Sequence, residues 1–264
     1  MQSVFGTTLV LALAILGSMS TSASARAAEA DTALKQDAIE RLSQSHDPTL
    51  SVGIGRVYVK QAALLAARDV LTERGRAAGL DKVRWNPALA QWQAAERELM
   101  QGVDDLVQAR VASGQWVHSA WGQAAAQTLN DEEADEIAVH FQSEGGQLQR
   151  KVIEWFVGEL TLQTYTFTDR LKYGVPGSES EMRDLQVATY ERIVPGIYDL
   201  TSYPNAVKFA STDPGVKYFK MMVMRGIHAL HLHLEACADD ARRMVRERAA
   251  LADPHIAGIA GERS

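Results

Sequence analysis

The chain has 264 residues, 46% apolar and 23% charged, the balance of a globular protein able to bury a sizeable core. Lys plus Arg number 27 against 33 Asp plus Glu, a net charge of −6. This argues against nucleic acid as a partner, which calls for a basic stripe, and against attachment to anionic lipid. Cys237 is the single cysteine, so no intrachain disulfide can form.

Leu9 to Leu16 reads LVLALAIL and runs into a stretch rich in Ala and Ser. Ala23-Ser24-Ala25 and Ala25-Arg26-Ala27 both fit the small-x-small rule for leader cleavage. The apolar run is shorter than the ~20 residues that a spanning helix needs. A signal peptide is therefore expected over 1–25, cut after Ala25 or Ala27, leaving a periplasmic or secreted chain with no membrane span. The start is atypical, because no Lys or Arg precedes Arg26.

Downstream, one helical domain is expected over 31–252, followed by a flexible tail over 253–264. The seven prolines fall where helix joints are expected, since proline breaks helix interiors but suits first turns. A short amphipathic helix is predicted over 31–45, with Leu34, Ala38, Ile39 and Leu42 on one side. Asp47-Pro48 reads as a cap and first turn. The segment SVGIGRVYVK (51–60) reads as either strand or helix, and helix is favoured from Arg56 to Arg74. Asn86-Pro87 opens a helix predicted to reach about Ala112, and another covers 116–129.

Asn130 with Glu133 forms a capping-box pair, and Asp131, Glu132 and Glu133 lie where the helix dipole favours acids. That helix is expected to break at Gly145-Gly146. The next carries Leu148, Val152, Phe156, Leu160, Thr164, Phe167 and Leu171 as an apolar stripe, up to a loop at 173–177. Ser178 with Glu181 opens a helix to Arg192, with a bend at Pro195-Gly196. Short pieces lead to Pro214-Gly215 and a long helix over about 216–251. The expected fold is an all-α multi-helix bundle.

Two stretches read alike: Phe141-Gln142-Ser143 leading to Gly146, and Phe209-Ala210-Ser211 leading to Gly215, with one residue more before the second glycine. They suggest an internal repeat of a helix-corner-helix unit, in halves of about 31–173 and 178–252. Phe141 and Phe209 would pin the corners, and Gly146 and Gly215 would permit them. The first corner resembles a family of exported bacterial all-helical proteins catalogued as a domain of unknown function. Their units carry an acidic-start helix and then Phe-Tyr-x-Ser-x-x-Gly-x-Lys. Leu129 to Glu133 and Phe141-x-Ser143-x-x-Gly146 match, with Phe141 at the Tyr position. His140 replaces the first aromatic and Leu148 the Lys. The likeness covers about 100–170 and, more faintly, 190–225. It implies export and a helical fold, and brings no activity or catalytic residue.

His228, His231 and Glu235 share a helix face at about 100° per residue, in a spacing that suits zinc, copper or nickel. Asp239, Arg242 and Arg246 continue that face, opposite Ile227, Leu230, Leu234 and Cys237, so a solvated polar stripe is the stronger reading. Trp85, Trp116 and Trp121 are candidates for lining a binding groove, set against core packing at helix junctions. Nucleophile and metalloprotease motifs are missing, and no cofactor is expected. The reading is a periplasmic binding protein that engages another exported protein or an envelope component. The alternatives are an envelope-polymer hydrolase with a carboxylate pair and a periplasmic metal-binding protein.

Overall fold

The computed structural model describes the backbone of residues 38–173 and 179–261, and their side chains apart from 163–183, 185 and 186. Among the described residues the chain is helical throughout, without a strand, as its composition and proline spacing predict. Helix α1 (38–44) leads through a tight turn into α2 (Thr49–Ala77). The ambiguous segment 51–60 is thus continuous helix. Its apolar residues join a run of alanines (Ala62, Ala63, Ala66, Ala67) that are all buried, and small side chains let other helices approach closely.

The helix expected from Asn86 to Ala112 is two helices, α3 (Ala90–Leu99) and α4 (Val103–Arg110). Gly102 separates them at φ +80°, a conformation that glycine adopts without the penalty of a Cβ. α5 (Gln115–Ala126) follows. α6 (Asp131–His140) starts on the predicted capping box, with Asn130 accepting from the Glu133 amide and the Glu133 carboxylate accepting from the Asn130 amide.

α7 (Glu144–Tyr173) and α8 (Glu179–Leu200) form an extensively packed pair. The loop expected at 173–177 and the Ser178 cap lie outside the described residues. α8 runs on through Pro195 to Leu200 and does not end at Arg192. α9 (Pro204–Phe209) and α10 (Asp213–Lys220) follow. The long final helix is interrupted at its start: Met221–Gly226 is π-helical before α11 (Ile227–Glu247), and the Ile227 amide donates to Met222 O, five residues back. α11 lies along α2 as the most extensive contact between elements not joined by one loop.

The tail expected to fray instead carries a 3₁₀ turn (Ala249–Ala252) and α12 (Asp253–Gly261). Ile256 is buried there, Arg74 pairs with Asp253, and α12 packs on α3. Among the described residues one apolar core runs through these elements apart from α8, none of whose side chains belongs to it. None of the helices is long and apolar enough, among the described residues, to cross a membrane.

Candidate functional site

The two corners are built from the same bonds. Ser143 Oγ donates to His140 O at 2.7 Å and accepts from the Gly146 amide at 3.1 Å. Thr212 Oγ1 donates to Phe209 O at 2.8 Å and accepts from the Gly215 amide at 3.3 Å. The structural register therefore pairs His140 with Phe209 and Ser143 with Thr212, with no extra residue before the second glycine. This corrects the sequence alignment of Phe141 with Phe209, although both of those rings are buried.

The reason for the glycines also differs from the one expected. Neither has positive φ. A Cβ would meet His140 O at 2.0 Å from Gly146 and Phe209 O at 2.1 Å from Gly215. The break precedes Gly145-Gly146, which sit inside the first turn of α7. The two corners also face each other. The His140 ring stacks on Phe209 at 3.8 Å, Gln149 bridges His140 Nε2 and Ala206 O, and Lys217 pairs with Glu133.

Beside this paired corner lies a polar cluster that sequence reasoning missed. His46 sits in the turn between α1 and α2, where Asp47 Oδ1 accepts from the Thr49 amide. Its Nδ1 is 2.8 Å from Glu154 Oε1 of α7, and its Nε2 is 3.3 Å from the Tyr218 hydroxyl of α10. The Asp47 amide also donates to Glu154, at 3.4 Å. Trp121 of α5 meets the imidazole edge-on at 4.1 Å, and Tyr218 stacks parallel to it. Phe141 stands edge-on to Tyr218.

Burial pushes the Glu154 carboxyl up to about 8, against the pull of Arg150. Burial, then the positive charges of Arg150 and His118, holds His46 well below its ordinary value. Burial likewise raises Tyr218 well above its own. At neutral pH the pair thus holds one proton, with the carboxyl donating to Nδ1 and Nε2–H donating to the tyrosine oxygen. The arrangement looks like a proton relay, but Tyr218 has no exposed surface and His46 and Glu154 almost none. Its polar and ring contacts tie α1, α5, α7 and α10 together in the core.

The sequence-proposed residues are dispersed. Trp85 donates to Leu71 O at 2.8 Å and packs on Trp92. Trp116 donates to Val111 O at 3.0 Å and stacks on His233. Trp121 lies against His46. All three are buried in separate parts of the core, so they line no common groove. His228 is exposed and His231 half-buried. Glu235 accepts from the Tyr58 hydroxyl and pairs with Arg242, which also reaches Asp239 at 2.7 Å. Arg242 is itself buried, so this part of the polar stripe faces α2 and not solvent. Among the described residues no group of three or more His, Cys, Asp or Glu could hold a metal ion. Cys237 is buried, its thiol raised by that burial, the state of an inert thiol. Glu144 and Asp199 line one open depression, with Lys151 and Tyr203, and both carboxylates are exposed.

The surface is unusual at α8. Val187, Tyr190, Val194, Ile197 and Tyr198 are all exposed, Tyr190 by 52% and Tyr198 by 66%. They lie three and four residues apart, on one face. The opposite face, with Thr189, Ile193 and Gly196, is buried, and Gly196 abuts Val152 and Trp155 of α7. Scattered exposed apolar residues need no explanation, but here five stand together in one row. Compared with known proteins, the chain matches no family model, no curated protein and no solved structure.

Proposed function

We propose that the protein is an exported helical binding protein whose working surface is the outer face of α8, engaging another exported protein or an envelope component. The observation that carries the reading is the exposed row from Val187 to Tyr198. Exposing such a row costs solubility, and occupation by a partner removes that cost. Export rests on the apolar leader and its Ala-x-Ala sites. The envelope fraction should then hold mature chain beginning near Arg26 or Ala28; an intact Met1 in soluble cytosol would reject export. Immobilised mature protein should retain a defined component from envelope extract, and a Tyr198→Asp variant should not. Equal retention by both forms removes α8 from the reading.

A further inference from the structure

The row on α8 is spaced as a coiled-coil seam. Val187, Tyr190, Val194 and Ile197 follow one another by three, four and three residues, the alternation that receives the knobs of a second helix. It runs about 17 Å at ~1.5 Å per residue, or roughly three turns. Flanking positions choose the partner of such a seam. On one edge these are Asp184 and Glu191, both exposed, one turn before and one turn after Val187. On the other edge Ile193 is buried and offers no charge.

Pro195 adds to the negative edge. It has no amide hydrogen, so the Glu191 carbonyl loses the donor that residue 195 would supply in a regular helix. The exposed Arg192 and Asp199 point further round the helix, away from the seam. A second copy is a poor occupant, since antiparallel pairing of two α8 helices sets Glu191 near Glu191. An anionic lipid surface meets the same repulsion.

We infer that the α8 seam receives an amphipathic helix of another protein, with an apolar stripe edged by Lys or Arg that lies along Asp184 and Glu191. This rests on the reading of α8 as the working surface. It is tested with full mature protein and two designed helical peptides, each about 18 residues, roughly five turns. Both carry leucine at seam spacing; one is flanked by lysine and its twin by glutamate. At low salt the lysine peptide should bind about fivefold tighter or more, the scale of two exposed ion pairs, and the preference should shrink as salt rises.

The double variant Asp184→Lys/Glu191→Lys should invert the preference, while Glu136→Lys, on exposed α6 surface, should leave it unchanged. All these sites are exposed, and unchanged thermal midpoints will show that the variants fold. Equal affinity for the two peptides, or a preference that survives in the double variant, overturns the cationic-helix inference. The docking face then still stands if Tyr198→Asp abolishes binding. Binding of neither peptide overturns both. Concentration-dependent dimerisation lost in Tyr198→Asp replaces the partner helix with a second copy and overturns the inference.

Discussion

The junction around His46 and the outer face of α8 invert the usual distribution of polarity in opposite directions. The first buries an imidazole, a carboxyl and a phenol; the second exposes two valines, an isoleucine and two tyrosines. The inverted groups at the junction find partners within the chain: Glu154 bonds His46 and the Asp47 amide, and Tyr218 bonds His46. A buried polar group so satisfied serves the fold, holding α1, α5, α7 and α10 in one arrangement. The apolar groups on α8 meet solvent, so water is displaced from them only by another molecule. The two regions thus differ in where their inverted groups find partners: within the chain at the junction, and not within it on α8.

The largest effect should come from the junction's apolar walls. Phe141→Ala should lower unfolding free energy by ~3–5 kcal/mol, read from urea titration; a loss under ~1 kcal/mol would mean that the corner and junction do not share the core as described.

The titratable pair supplies the next test. In the unfolded chain the carboxyl and imidazole titrate near ~4.3 and ~6.5; folded, the carboxyl stands at about 8 and the imidazole well below its ordinary value. Between ~4.5 and ~6.5 each state holds one proton on the pair, so the pair adds no slope there. From ~6.5 to ~8 the folded state keeps a proton that the unfolded chain has lost, and stability falls as pH rises, by about 2 kcal/mol. Below ~4.5 the unfolded chain gains a second proton, and stability falls as pH falls. Glu154→Gln should flatten the upper limb of the stability–pH curve. An unchanged limb in that variant would assign it to other groups.

The smallest stability effect should be on α8. Tyr198→Asp should change the unfolding free energy by less than ~0.5 kcal/mol, because the ring contributes little to the core. A loss of ~2 kcal/mol or more would show Tyr198 to be a folding residue and erase the contrast between the two regions.

Much of the fold was legible from the sequence. The Asn130–Glu133 box starts α6 as predicted, and alanine-rich 56–74 lies within α2. The division between α3 and α4 was hidden because Gly102 is a lone glycine within continuing helical periodicity. The π-helical insertion at Met221–Gly226 was also hidden, since its extra residue shifts phase without any proline or polar break. Burial of Arg242 was not legible because Tyr58, which bonds its partner Glu235, lies on another helix.

The junction was not legible at all. His46 is 108 residues from Glu154 and 172 from Tyr218, and each alone looks like an ordinary loop or helix residue. The α8 row was not legible, because Pro195-Gly196 suggested a bend and an end at Arg192 where the helix in fact continues to Leu200. The face that packs on α7 carries Thr189, Ile193 and Gly196, a weaker apolar signal than the face left outside. The register of the two corners needed the hydrogen bonds of Ser143 and Thr212, which align residues of different type.

Occupation of the outer face of α8 in the cell can be read by crosslinking. A photo-crosslinking amino acid at position 198, expressed in cells that make the full chain, tests it most directly. Val83, 83% exposed and away from the row, serves as the reference position. An occupied face gives a discrete adduct from position 198, lost when Val194→Asp is added, and none from position 83. No adduct from position 198, or the same adducts from both positions, would contradict it.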